Sequence, residues 1–317
     1  IIIMEPYSGA ILAMASFPAY HPEKFLKYEE GLYKNPAIAE PYEPGSTFKI
    51  LVMSAALNEE TVTAQTKCDI CAEPYKIDKY TIKTWNEKYY PQETMAEIIQ
   101  RSDNVGMVFV SQKLGKEKLI DYLEKFGIGE KTGIDLQEEV AVPLKSKKDW
   151  NEVDLATASF GQGLALTGIQ MIRAGAAIAN GGKLLEPHLV DKIIGEDKTL
   201  SIKPKIIRTI LTEKTSQEMT QMIIKATDEG EAKWAKPKGY KIAGKTGTAQ
   251  IPVAGHYDKE KTIASFIGFA PADKPKFIML TYLREPTSSP WGSETAAPLF
   301  FNVARRLFLY WGIQPEE

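Results

Sequence analysis

Side chains that ligate metals or carry redox chemistry are scarce in this 317-residue chain, which has two cysteines and three histidines. Cys68 and Cys71 form a single C-D-I-C, and neither a second C-x-x-C nor a spaced histidine pair completes a zinc site. The flanks of that motif read as a loop, whereas a thioredoxin-like role wants a βαβ setting. A local disulfide and two free thiols both stay open. An excess of one charge is also missing. With 39 Lys and Arg against 41 Asp and Glu, the net charge of −2 carries no footprint for nucleic acid. No stretch approaches 18 uninterrupted apolar residues, so no membrane-spanning helix lies within these residues. The first twenty residues are fairly apolar, but Glu5-Pro6 interrupts them and no basic segment precedes them, unlike a signal peptide. Internal repeats and low-complexity tracts are absent too.

What is present is an ordinary globular composition, 44% hydrophobic and 25% charged. The length supplies one large domain or two average ones. The opening IIIMEP reads as a strand entered midway, so preceding segments, any anchor included, are expected to lie outside this sequence.

Ile1–Met4 and Ile11–Ser16 read as a hairpin around a turn-rich EPYSG. Phe17–Pro44 has five prolines and no clear periodicity, and reads mostly as loop. A helix follows over Ser46–Leu57, then a small hairpin excursion within Thr61–Tyr90. Helices are expected over Glu93–Arg101, Asn104–Leu114 and Lys116–Phe126, the last stopped by Gly127. Further helical stretches begin at Leu155, run over Thr167–Ala179 with Thr167 as cap, and cover Lys214–Thr227. Strands are expected over Tyr240–Gln250, Thr262–Ala270 and Lys276–Leu283, with a closing helix over Ala296–Tyr310. Strands at both ends and helices between them predict an α+β fold whose terminal strands share one sheet.

Three short motifs carry chemistry. In EPGSTFKILVMSAAL, Ser46 stands where a helix should begin, beside free first-turn N–H groups, and Lys49 lies one turn on along the same face. Alone, S-x-x-K is also what a serine N-cap and a solvated lysine produce. Ser102-Asp103-Asn104 falls between two helices, where cap residues are common. Lys245-Thr246-Gly247-Thr248 falls in a strand, whose alternation puts Thr246 and Thr248 on one face. Two hydroxyls there could grip a carboxylate, and Gly247 would let a ligand lie close against the strand. A second K-T-G, Lys131-Thr132-Gly133, follows a helix end and is read as structural.

Together, S-x-x-K at a helix start, S-x-N between helices and K-T-G on a strand form the set shared by penicillin-binding proteins and class A β-lactamases. Over essentially its full length the chain resembles the transpeptidase domain of class B penicillin-binding proteins. Segments that carry the likeness include IIIMEPYSGAILAMASFPAYHP, GIGEKTGIDLQEE, DWNEVDLATASFGQGLALTGIQMIRAGAAIANGG, FIGFAPADKPKF and GSETAAPLF. Two departures stand out. Gln137-Glu138 replaces a usual Pro-Gly, and Gly168 replaces a proline, which should start its helix less firmly.

The resemblance implies one penicillin-binding domain over residues 1–317, with an antiparallel sheet of about five strands from both chain ends flanked by helices. The sheet part would cover residues 1–20 and 238–317, and the inserted, mainly helical part residues 46–230. It also implies an N-terminal membrane anchor and a non-catalytic domain ahead of this one, and hence a site on the extracytoplasmic face of a bacterial membrane. Partners would be peptidoglycan stem peptides, β-lactams and cell-wall synthesis or division proteins. No cofactor, metal or nucleic acid is called for.

By the same resemblance, Ser46 attacks the carbonyl of a D-Ala-D-Ala stem peptide, and an amine from a second stem peptide takes the acyl group. Lys49 is the base. Its pKa must fall from ~10.4 to near neutrality, a difference worth ~4 kcal/mol, with burial and Lys245 pushing that way. Ser102 relays a proton to the leaving amine and Asn104 holds the donor amide. Backbone N–H groups of Ser46 and Thr248 form the oxyanion hole, while Thr246, Gly247 and Thr248, with Lys245 behind, receive the terminal carboxylate. His21, His188 and His256 have no role. Alternatives are a penicillin sensor or inactive partner module, a D,D-carboxypeptidase, and a β-lactamase. The last would need a deacylating base, for which Glu152 in E-V-D-L-A is the nearest candidate.

Overall fold

Three successive buried residues, Ile2 to Met4, mark a strand covered on both faces. In the computed structural model, which describes residues 1–253 and 256–316, this is β1 (Ile2–Met4), and β2 (Ile11–Met14) returns beside it as the expected hairpin. Short 3-10 turns and α1 (Pro36–Ala39) occupy the proline-rich connector. A 3-10 turn over Gly45–Phe48 then runs directly into α2 (Lys49–Asn58). The excursion that follows holds the hairpin of β3 (Tyr75–Ile77) and β4 (Tyr80–Ile82).

The helical half comprises α3 (Met95–Arg101), α4 (Asn104–Leu114), α5 (Lys116–Lys125), α6 (Glu152–Ser159) and α7 (Gly168–Ala179). Strands β5 (Lys183–Leu185), β6 (Lys192–Ile194), β7 (Thr199–Ser201) and β8 (Ile206–Thr209) lie between α7 and α8 (Glu213–Glu229). The sequence reading did not anticipate these four. Each is three or four residues long, and β5 pairs with β8 across the intervening β6–β7 hairpin, so no local periodicity announces them. The chain closes with β9 (Ala243–Val253), β10 (His256–Ala270), β11 (Phe277–Arg284) and α9 (Ala296–Tyr310).

The main sheet has the order β2-β1-β11-β10-β9 and is antiparallel throughout, so both chain ends meet in it as expected. Strand alternation splits its side chains between two cores. Ile2, Met4, Ile278 and Leu280 join the large core of the helical half. Ile3, Phe266, Phe277 and Met279 instead pack under α9, against Phe300, Phe301 and Phe308. Helices α2 and α7 are buried on every side, so α2 is a central post and not an amphipathic surface helix.

Capping boxes open three helices: Thr94 with Glu97 for α3, Asn151 with Asp154 for α6, and Thr167 with Gln170 for α7. Because Thr94 is the cap, α3 starts later than its sequence pattern suggests and leaves Glu93 outside. Gly168 does not leave α7 loosely started. The capping box holds the turn, and a Cβ at 168 would lie 2.9 Å from Ile2 Cδ1 and 3.2 Å from Tyr282 Cε1. The small residue lets α7 press onto β1 and β11.

Glu138, in the pair noted above as a departure, adopts a left-handed conformation at φ 66° while exposed. For an L-residue this costs about 1–2 kcal/mol. Part of that returns through the unfolded chain when glycine is introduced. Glu138→Gly is therefore expected to stabilise the protein by about 0.5–1 kcal/mol. A thermal melt should show Tm higher by about 1–2 °C, and an unchanged or lower Tm would refute the strain.

Candidate active site

Pro44 and Gly45 decide how the nucleophile candidate is presented. Gly45 takes φ 56°, and its N–H donates to the Gly161 carbonyl at 2.9 Å. The chain therefore enters α2 through a tight 3-10 turn with Pro44 at its head. Ser46 lies inside that turn, not at an α-helical N-cap as expected, and its hydroxyl has no hydrogen-bond partner among the described residues. Its hydroxyl is consequently left to the cleft. Gly161 holds the turn from behind, since a Cβ there would fall 2.3 Å from the Gly45 carbonyl oxygen.

Ser46, Ser102, Asn104, Thr246, Gly247 and Thr248, far apart in sequence, line one narrow cleft of about 80 Å³. Lys49 and Lys245 lie buried beneath it. Lys49 Nζ donates to the Ser102 carbonyl at 2.6 Å, to Asn104 Oδ1 at 2.8 Å and to Ser102 Oγ at 3.3 Å. Lys245 Nζ donates to Ser102 Oγ at 2.9 Å, and to the carbonyl and hydroxyl of Thr246 at 3.1 and 3.2 Å. Ser102 Oγ thus accepts from both ammonium groups and retains its own proton to donate.

Burial holds Lys49 well below the usual lysine range, and the neighbouring Lys245 charge adds to the effect. Burial also lowers Lys245 to about 8, with Glu231 opposing the shift.

The S-x-N triplet is presented by a helix junction. Ser102 ends α3 in a left-handed conformation, φ 60° and ψ 38°, and Asp103 caps α4 by accepting the Gly106 N–H at 2.9 Å. An L-residue held this way stores local strain of the kind found at functional sites. Asn104 Nδ2 donates to the Lys83 carbonyl at 3.0 Å, which fixes the amide orientation. Behind the junction, burial and then Asp103 push the Glu93 carboxyl up to about 8, while Arg101 holds one of its oxygens at 3.2 Å. Cys68 and Cys71, left open by sequence, are joined in a disulfide that closes the adjacent loop. The donor cluster Cys71, Glu93 and Asp103 therefore has its sulfur committed.

Strand β9 is the sheet edge facing the helical half, so alternate N–H groups have no ladder partner there. Thr246 and Thr248 both face the cleft, as alternation requires. Thr248 Oγ1 accepts the Gly292 N–H at 3.0 Å, so each threonine keeps its own O–H to donate. Gly247 differs from expectation. Its Cβ position is taken by protein, 2.4 Å from Ser265 Oγ and 2.8 Å from Thr47 Cγ2, so this glycine serves helix-to-sheet approach and not ligand clearance. Gly45 likewise rests on β9, where a Cβ would meet Thr248 O at 3.3 Å, bringing the Ser46 and Thr248 backbones together.

The cleft also contains residues that no motif marked: Trp85, Phe160, Gln162, Glu231 and Trp291. Trp85 and Trp291 meet edge to face, 5.4 Å between centroids, spanning from the S-x-N side to the K-T-G side. Both tryptophans lie far from the triplets along the chain, and nothing local says that they converge. The second K-T-G is structural. Thr132 donates its N–H and O–H to Glu139, and buried Arg173 holds the Thr132 carbonyl at 3.3 Å. Glu152 is exposed at the first turn of α6 and does not line the cleft. His21 is exposed and His188 half-buried, neither lining the cleft; the side chain of His256 lies outside the described residues.

A family model described as the penicillin binding protein transpeptidase domain matches residues 1–305. Stage V sporulation protein D of Bacillus subtilis is 34% identical over 100% of this chain and 50% of its own length. The probable peptidoglycan D,D-transpeptidase PenA of Neisseria gonorrhoeae is 31% identical over 100% of this chain and 53% of its own. The chain thus spans about half the length of these relatives. Among solved structures, penicillin binding protein 3 of Mycobacterium tuberculosis complexed with aztreonam superposes with a TM-score of 0.91 at 28% identity, covering 100% of this chain and 73% of that one. The ampicillin complex gives 0.92 at 29% identity, covering 99% and 72%.

Proposed function

The chain belongs to the penicillin-binding protein transpeptidase family, and from that premise we propose that it is a serine-type peptidoglycan D,D-transpeptidase, acylated by stem peptides and by β-lactams. It would act on the extracytoplasmic face of a bacterial membrane, where such cross-links form, alongside other cell-wall synthesis or division proteins. One observation carries the reading. A free serine hydroxyl, two buried lysines sharing a second serine, and a pair of threonine hydroxyls converge on one cleft.

Lys49 is suited to be the base by its partners. Its two shortest contacts, the Ser102 carbonyl and Asn104 Oδ1, can only accept. A neutral amine satisfies both with two N–H groups and keeps its lone pair for a hydroxyl proton. Ser46 would attack the carbonyl between the two D-alanines, and the developing oxyanion would take the N–H groups of Ser46 and Thr248. Each such donor is typically worth ~2.7–4 kcal/mol. Ser102 would pass a proton to the departing amine, drawing on the lysines behind it. Thr246 and Thr248 would bind the terminal carboxylate opposite the Lys245 charge. Glu152, the deacylating-base candidate of the β-lactamase reading, lies away from the cleft.

The test is incubation with benzylpenicillin followed by intact-mass measurement. A stable adduct of the full drug mass is expected; an unmodified folded protein overturns the reading, and fast release of hydrolysed drug points to a β-lactamase. With a stem peptide and an acceptor amine, a cross-linked product separates a transpeptidase from a sensor or a carboxypeptidase.

The Lys245 value of about 8 fixes an alkaline limit. Below it the side chain is cationic and attracts the donor carboxylate; above it the charge is lost. The second-order acylation rate reports the free enzyme, so it is expected to fall about tenfold for each pH unit above that value. A rate flat across that range would exclude a role for the Lys245 charge.

A further inference from the structure

We propose that Glu231 is the acceptor-binding residue of the cross-linking step, taking the ammonium group of the incoming amine and accepting its proton before attack. The proposal rests on the transpeptidase reading above and adds the group that handles the second substrate. Glu231 follows Gly230, where α8 ends, and lines the cleft with Ser46, Ser102 and Thr246. It also lines an adjoining cavity of about 310 Å³ whose other walls include Trp85, Lys88, Arg101 and Lys233. It therefore stands on the wall common to the reaction cleft and a separate approach to it.

Its chemistry is unspent. The carboxylate is half-buried and, among the described residues, has neither a hydrogen bond nor a close ion pair. Lys49 and Lys245 bear on it through their charge, but their N–H groups are already directed to Ser102, Asn104 and Thr246. A partly desolvated carboxylate open to a cleft and without protein donors is free to take them from a ligand. The complement is a cation with N–H groups, which a primary ammonium provides. Burial raises the Glu231 pKa, with the two lysines opposing, which makes the carboxylate a stronger proton acceptor. The same charge repels the donor carboxylate, leaving that group to Thr246 and Thr248. The cleft thus sorts its two substrates by sign.

The step balances. The ammonium gives one proton to Glu231 and becomes a neutral amine. Its lone pair forms the new C–N bond to the acyl carbon, and the C–O bond to Ser46 breaks. The second proton lost by nitrogen passes through Lys49 to Ser46 Oγ, and Glu231 releases its proton to water. Acyl-enzyme and ammonium become amide, free Ser46 and one proton.

Water carries no ammonium for Glu231 to bind, so the ratio of amide to acid product isolates the effect. A thioester of an N-acyl-D-alanine serves as donor, and a short stem-type peptide with one free side-chain amine as acceptor. Glu231→Gln is expected to lower the amide-to-acid ratio by ~10²-fold and to raise the acceptor concentration needed for half-maximal aminolysis. This ratio is independent of how fast Ser46 is acylated. Glu231→Asp, which keeps the charge, should recover part of it, and covers the case in which the glutamine variant does not fold. An unchanged ratio in the variants, with acylation intact, overturns the Glu231 assignment alone. Failure of the wild-type protein to form any acyl-enzyme overturns the transpeptidase reading instead.

Discussion

Ser46→Ala is expected to abolish the covalent penicillin adduct while leaving the melting temperature within a few degrees of the parent. The two halves of this result follow from one fact. The Ser46 hydroxyl makes no capping bond and has no hydrogen-bond partner among the described residues. Removing it therefore orphans no buried group, which is the usual source of a large penalty. The turn itself is held by the Gly45 N–H to Gly161 bond and by α2, none of which involves the side chain. Intact-mass spectrometry after penicillin treatment and a thermal melt check both halves. An adduct that survives the substitution moves the nucleophile elsewhere. Loss of folding would mean that Ser46 has a structural duty that its free hydroxyl does not suggest.

Lys49→Met should slow acylation by ~10²–10⁴-fold with a far smaller effect on stability. Two stability terms oppose each other. Because burial and Lys245 lower the Lys49 pKa in the folded state, the charged lysine costs stability below its unfolded pKa, and methionine removes that cost. Against this, the Ser102 carbonyl and Asn104 Oδ1 lose their donor. Each orphaned acceptor costs about 1–3 kcal/mol unless water reaches it from the cleft. The expected outcome is a Tm within about 5 °C of the parent, set against acylation followed by stopped-flow or quenched mass analysis. An acylation rate within about threefold of the parent would remove Lys49 from the role of base.

Much of the architecture was legible because it is written locally. Thr167 three residues before Gln170, the Asn104–Leu114 run and the closing Ala296–Tyr310 helix all depend on neighbours within a turn or two. The strand triplet Thr246-Gly247-Thr248 likewise predicts by alternation that both hydroxyls share a face. Where the reading fell short, the deciding contact was distant. Ser46 reads as an N-cap until Gly161 is seen bonding Gly45 and turning the chain. Gly247 reads as ligand clearance until Ser265 and Thr47 are found filling the space. Glu231 sits in a run of ordinary surface composition, and nothing within four residues marks it as a cleft carboxylate.

The sequence by itself determined the longer helices, the strands of the main sheet, the α+β class and which residues form the three motifs, since propensity, capping and alternation act over a few residues. Only the tertiary structure decided what the motifs are made to do. Lys49 meets Ser102 across 53 positions and Lys245 meets the same serine across 143. Their lowered pKa values exist because folding buries two cations together. Desolvation and charge coupling are properties of a three-dimensional neighbourhood, and no window along the chain contains them.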